Sequence, residues 1–346
     1  MEAFSVEPLS PFGAVVSGLN ITSDHVRAST IKALEQLCAT RGFAVLPMQS
    51  LPGDALVHAS KRFGSGVLAA RHVTHDEAVH EDVLRLSNRE EFGVFGVGPQ
   101  WHSDGSFERR IFSHVLFHAQ QMPEGGGGGT ELADLVGAFA ACPPALQEAW
   151  SRLAIVNAYS GVVHPLVATH PLSGRRAISV HLGMVGAVLR WPRTPTRDCA
   201  ARTARFARLE AMDATAAPSA QCGHELLGEA ETRDLLGTIE ALLSRPEHRI
   251  TWTYGARHDA GGDLLIVDNL ATAHRAARGA HDPSKGLRIL HRTTVEGTAA
   301  IDPPPSAGLP PFVYVWGNNP LADGLWVGAD RFGVGFRWNR SLPMRN

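Results

Sequence analysis

The stretch GGDLLIVDNLATAHRA, residues 261–276, sets the class of fold. Its first half, GDLLIVD (262–268), is a continuous apolar run between glycine and aspartate. Such a run is expected of a strand covered on both faces. Asp268–Asn269 then reads as a turn, and the chain beyond it delivers His274. Further strands are expected around it, at 113–119, 153–158, 177–182, 249–255 and 287–295, several of them alternating with the period of a half-buried strand. Many short strands with Gly/Pro turns argue for a sandwich or barrel, so the class is mainly β with flanking helices.

The N-terminal part mixes both kinds of element. Residues 13–17 and 42–47 read as short apolar strands. Between them, 23–40 has the spacing of a helix that starts at Ser23–Asp24, and 54–62 is a second candidate helix. Residues 65–100 are polar, Gly-punctuated and loop-rich. Helix-like pieces at 200–212 and 228–244 flank a small-residue linker, marking 193–247 as an insertion between strands. The segment 303–346 holds 7 of the chain's 24 aromatic residues. Disordered tails are poor in aromatics, so this extension is expected to pack on the body, which is taken as one domain over 1–302, or on a second copy of the chain.

Composition excludes several classes. The chain has 346 residues, a net charge of −2 and 19% charged residues. It carries no polybasic stripe for nucleic acid or an anionic membrane. No window approaches the roughly 20 apolar residues of a membrane helix, and the first residues do not have the charged-then-apolar order of a signal peptide. Four widely spaced cysteines without a CxxC fit reduced thiols. The expectation is a soluble cytoplasmic protein.

WHSDGSF (101–107) carries the chemistry. On a strand, His102 and Asp104 would point to the same face and could grip one ion. A His-x-Asp triplet also occurs at His80/Asp82, in a polar stretch that reads as solvated surface, so the motif needs its context. That context is His274 as a distant third ligand and LRILHRTTV (287–295), which sets Arg288, Leu290 and Arg292 on one strand face. A 2-His-1-carboxylate set leaves positions open for Fe(II) oxygen chemistry. A buried arginine needs an anionic partner, and its fork fits a carboxylate. No GxSxG, P-loop, GxGxxG or HExxH competes.

With these pieces in place the chain resembles the taurine dioxygenase / 2,4-dichlorophenoxyacetate dioxygenase family of Fe(II)/2-oxoglutarate-dependent oxygenases. The matching pieces run in order: EPLSPFGAVVSGLNIT (7–22), KRFG (61–64), WHSDGSF (101–107), MPEGGGGGTELADL (122–135), DNLATAHRA (268–276) and RILHRTTV (288–295). The resemblance implies a double-stranded β-helix, a jelly-roll of cupin type. It implies Fe(II), 2-oxoglutarate and O2, with His102, Asp104 and His274 as iron ligands. Thr130 and Arg288 would hold the far carboxylate of 2-oxoglutarate. Arg292 would bind an anionic group of cosubstrate or substrate near the metal. The segment ARGAHDPSKG (277–286) lengthens the His274–Arg288 gap and leaves the cosubstrate arginine between Arg288 and Arg292; the RxxxR pattern with its following Thr-Thr favours Arg288. His72, Gln100 and Phe107 are candidate substrate contacts. His114, His118, His164, His170 and His181 read as core or turn histidines.

The expected reaction is hydroxylation of a C–H bond in a small, anionic substrate, with release of succinate and CO2 and cleavage of a carbon–heteroatom bond where one follows. The carboxylate at Asp104 stands where related halogenases carry a small residue, which favours hydroxylation. The alternatives are desaturation or cyclisation by the same oxidant, or a cupin-like metal protein without oxygenase turnover.

Overall fold

In the computed structural model the described residues are 4–69, 75–124, 126–158, 160, 162–191, 225–257, 261–298 and 301–302. The long apolar run forms the strand Gly261–Asp268, central in a sheet whose order is Ser5–Pro8, Ala14–Ser17, Phe43–Gln49, Gly261–Asp268, His114–Gln121, Ile289–Val295, Leu84–Ser87. Leu265 lies opposite both Val45 and Phe117. All neighbours are antiparallel except Ala14–Ser17 with Phe43–Gln49.

The alternation along this strand explains why its sequence does not alternate. Leu264 and Ile266 pack outward with Leu34, Leu46, Leu56 and Leu116, under the helices Ala28–Arg41 and Ala55–Ser60. Leu265 and Val267 pack inward with Phe43, Phe117, Leu132 and Leu290. Both faces are buried, so both must be apolar.

The second layer is divided. Thr130–Asp134 sits between Arg249–Trp252 and Thr272–Ala276. A four-stranded sheet follows, in the order Glu225–Leu226, Val185–Arg190, Leu153–Asn157, Val163–Pro165, together with the pair Val167–Thr169 and Arg176–Ile178. Leu132, Ile250 and Trp252 face the large sheet. The other side is covered by the helices Leu135–Ala140, Pro144–Trp150 and Glu229–Leu243. Two facing sheets with strands from both chain ends give the expected jelly-roll core with flanking helices.

Several expected elements shift. The first helix starts at Ala28, not at Ser23. Asn20 accepts from the Thr22 amide at 3.1 Å and Ser23 Oγ from the His25 amide at 3.3 Å. These local bonds hold the preceding segment in turns, the usual competition between short polar side chains and a helix. The strand expected at 177–182 is only Arg176–Ile178. Beyond it the chain pairs singly with the segment around His102 and then forms a 3-10 turn at Leu182–Met184. The helix expected at 228–244 is Glu229–Leu243. The piece at 200–212 and the aromatic extension 303–346 lie outside the described residues.

Candidate active site

Three buried side chains meet where the second layer opens. His102, Asp104 and His274 each offer a ligand atom within 4.8 Å of the others. His102 and His274 face each other through reciprocal backbone bonds, His102 N to His274 O at 3.1 Å and His274 N to His102 O at 2.9 Å. The expectation of a regular strand at 102–104 is corrected by this. His102 makes isolated bridges to His181 and His274, and Asp104 already stands in a turn. Convergence comes from cross-strand pairing with His274 rather than from a shared strand face.

The neighbours of the triad fix its geometry. Trp101 is buried, donates from its indole nitrogen to Ser244 Oγ at 3.0 Å, and carries the Arg275 guanidinium over its ring at 4.2 Å. Arg275 is held in turn by Glu131 at 2.5 Å. His102 Nδ1 lies 2.7 Å from the Gln100 carbonyl. Donation of its proton there leaves Nε2 as the free lone pair, the usual arrangement of a metal-binding imidazole. Asn269 holds Asp104 by its backbone. Its side-chain oxygen accepts from Asp104 N, and its amide donates to Asp104 O and Phe112 O, all at 2.8 Å. The turn residue Asn269 was visible in the sequence, but its grip on a residue 165 positions away was not.

Electrostatics prepare the triad for a cation. Burial pushes His102 down and His274 well down, so both imidazoles are neutral at neutral pH. Burial opposes charge on Asp104, yet Arg292 first, joined by His274, His102 and His181 as they protonate in acid, outweighs it and holds the carboxyl at about 2. Arg292 lies 3.1 Å from one Asp104 oxygen and 3.2 Å from the other. Among the described residues, both ring nitrogens of buried His274 have no hydrogen-bond partner. Two neutral imidazoles and one carboxylate, with orphaned donor atoms, suit a divalent ion such as Fe(II). His181 sits with its ring 4.8 Å from that of His102 and is held down to about 3, first by burial and then by His102.

A cleft adjoins the triad. It lies between His102, His274, Thr130, Arg288 and Arg292, with His281 and Val97 at its wall. Arg288 is buried, its Nε donates to the Gly128 carbonyl at 2.6 Å, and its backbone is held by Asn88. Burial pulls its guanidinium down, Tyr254 opposes this, and among the described residues no carboxylate pairs with it. Thr130 Oγ1 is 2.8 Å from the Tyr254 hydroxyl. A buried cation without a carboxylate beside it is costly, so this pair is suited to an anionic group. Gln100 and Phe107 do not line this cleft. The Gln100 amide lies against Gly183, and Phe107 meets Phe112 edge-on at 6.0 Å. His72 lies outside the described residues.

Comparison with known proteins agrees with this geometry. The family described as taurine catabolism dioxygenase TauD, TfdA family matches residues 5–294. The chain belongs to the TauD/TfdA family. Proteins similar to it include pentalenolactone F synthase of Streptomyces arenae, 24% identical over 80% of this chain and 90% of that protein. The alpha-ketoglutarate-dependent 2,4-dichlorophenoxyacetate dioxygenase of Cupriavidus pinatubonensis is 25% identical over 84% of this chain and 96% of its own. In fold, a taurine dioxygenase structure from Burkholderia xenovorans superposes with a TM-score of 0.66 at 20% identity, covering 94% of this chain and 98% of that one. As a TauD/TfdA protein the chain is a 2-oxoglutarate-dependent dioxygenase, an oxidoreductase that uses Fe(II), 2-oxoglutarate and O2. Among its described residues no helix is long and apolar enough to cross a membrane.

Proposed function

We propose that this dioxygenase hydroxylates a C–H bond of a small organic anion, with 2-oxoglutarate converted to succinate and CO2. The observation that carries the substrate class is Arg292. It is half-buried beside the triad, commits one nitrogen to Asp104, and keeps its Nε without a hydrogen-bond partner among the described residues. A carboxylate or sulfonate presented there would be held close to the metal.

In this reading His102, Asp104 and His274 hold Fe(II), and each has a neighbour that sets its state. Gln100 fixes the His102 tautomer, Asn269 holds the Asp104 backbone, and Arg292 keeps the Asp104 carboxylate ionised. Arg288 and Thr130 bind the far carboxylate of 2-oxoglutarate and orient its keto-acid end toward the triad. The bound metal supplies the oxidising chemistry. The chain's part is to place one C–H bond near it and to exclude water with Val94, Val97 and Phe117. The match to pentalenolactone F synthase over 80% of this chain supports a second outcome of the same site, oxidative synthesis of a product rather than degradation.

The experiment is an anaerobic titration of metal-free protein with Fe(II) and then 2-oxoglutarate, followed by succinate release across a panel of small acids. Wild type should develop the weak visible band of an iron–2-oxoacid chelate. His102→Ala and Asp104→Ala should lose the band and substrate-dependent succinate. Intact succinate release in either variant would remove the assignment.

A further inference from the structure

The wall of the cleft holds a histidine that the reading above leaves without a role. His281 lies in the segment between the strand Thr272–Ala276 and Arg288. This segment is fastened to its surroundings by Ala276 N to Gly98 O at 2.7 Å and Ala277 N to Gly129 O at 3.0 Å. The side chain is half-buried, both ring nitrogens are shielded from water, and among the described residues neither has a partner in full hydrogen-bonding geometry, the Val97 backbone being the nearest polar contact. On its other side Phe95, 43% exposed, meets the ring edge-on with centroids 5.8 Å apart. His281 thus stands between a solvent-facing aromatic and the Arg288 end of the cleft.

One backbone contact leaves a shielded ring nitrogen that costs stability unless something else satisfies it. Burial first, and then the Arg288 charge, hold the ring toward its neutral form against the Val97 backbone contact. A neutral imidazole still carries one N–H donor. The anion that would sit against Arg288 is the nearest chemistry that needs such a donor.

We infer that His281 is a third contact to the distal carboxylate of 2-oxoglutarate, donating a ring N–H to the group that Arg288 and Thr130 hold. This rests on the assignment of Arg288 to that carboxylate. With Phe95 on its outer side, His281 also closes this end of the cleft against water, which strengthens the ionic contact within.

The test is equilibrium binding to the Fe(II)-loaded protein without oxygen, read by the chelate band. The probes are 2-oxoglutarate and 2-oxobutanoate, the second lacking the distal carboxylate. His281→Ala should raise Kd for 2-oxoglutarate about tenfold, the size of one hydrogen bond to a charged group, and leave 2-oxobutanoate and Fe(II) affinity unchanged. His281→Gln, which retains a donor, should recover part of the loss. Equal loss for both probes would mean a merely structural role and would overturn the inference, as would unchanged 2-oxoglutarate binding. Arg288→Ala separates the two levels. If it abolishes the difference between the probes while His281→Ala does not touch it, the Arg288 assignment stands and the His281 contact is wrong. If neither variant affects the difference, both are wrong.

Discussion

At the scale of single residues, the site depends on groups that never reach a ligand. Asn269 is fully buried and satisfies three backbone groups, two of them on Asp104. Asn269→Ala would leave Asp104 N, Asp104 O and Phe112 O buried without partners. A buried unsatisfied group costs about 1–3 kcal/mol. The expected outcome is a loss of about 3 kcal/mol in urea unfolding, partly offset by water, and weaker Fe(II) binding as Asp104 loses its orientation. Fe(II) affinity equal to wild type would show that the turn holds without it. The triad candidates and both arginines were legible through the order of their motifs and the family resemblance that order carries, since His-x-Asp also occurs at His80/Asp82 and the chain holds 17 histidines. The sequence did not show Asn269 or His281 in these roles. Asparagine in a turn and histidine in a polar loop are ordinary, and only the tertiary structure brings Asn269 to the Asp104 backbone and His281 to the cleft wall.

At the scale of elements, the apolar run 262–268 was legible because a strand buried on both faces has no polar side to disguise it. The short strands of the second layer were harder. Thr130–Asp134 follows directly on the glycine run, and Val163–Pro165 and Val167–Thr169 are three residues each. Periodicity has nothing to count at that length. The central strand makes its own prediction. Leu265 is fully buried, lies opposite Val45 and Phe117, and faces the inter-sheet core. Leu265→Ala should destabilise by about 2–5 kcal/mol, seen as a lower urea midpoint with an unchanged slope. A loss below about 1 kcal/mol would mean that the core collapses around the gap. Gly13 has a similar constraint at φ +93°, where an added Cβ would stand 2.2 Å from the Phe43 ring.

At the scale of the whole molecule, the fold buries many histidines in their neutral form, and this sets how stability responds to pH. Burial pushes His164 down to about 4, against favourable backbone contacts with Glu108 and Ser106. Burial, Arg85 and His118 hold His291 at about 3, and its Nε2 lies 2.9 Å from the Arg85 guanidinium, which requires it as an acceptor. Unfolded, each titrates near 6.5. The unfolded chain therefore binds more protons below that value, and stability falls as pH drops from about 6.5 toward the folded values. Each histidine contributes about 1.4 kcal/mol per pH unit within that window, hence about 2 kcal/mol apiece between pH 6.5 and 5. Asp104 does not alter this range. Its lowered carboxyl adds stability that is present above the unfolded value near 4 and is lost only as pH falls toward about 2. Urea unfolding of the metal-free protein should show a midpoint that declines steeply from pH 7 to 5. A flat profile over that range would mean that His164 and His291 are protonated in the folded chain. The same profile with Fe(II) bound should lie higher across that range, because the ion binds the folded chain and not the unfolded one.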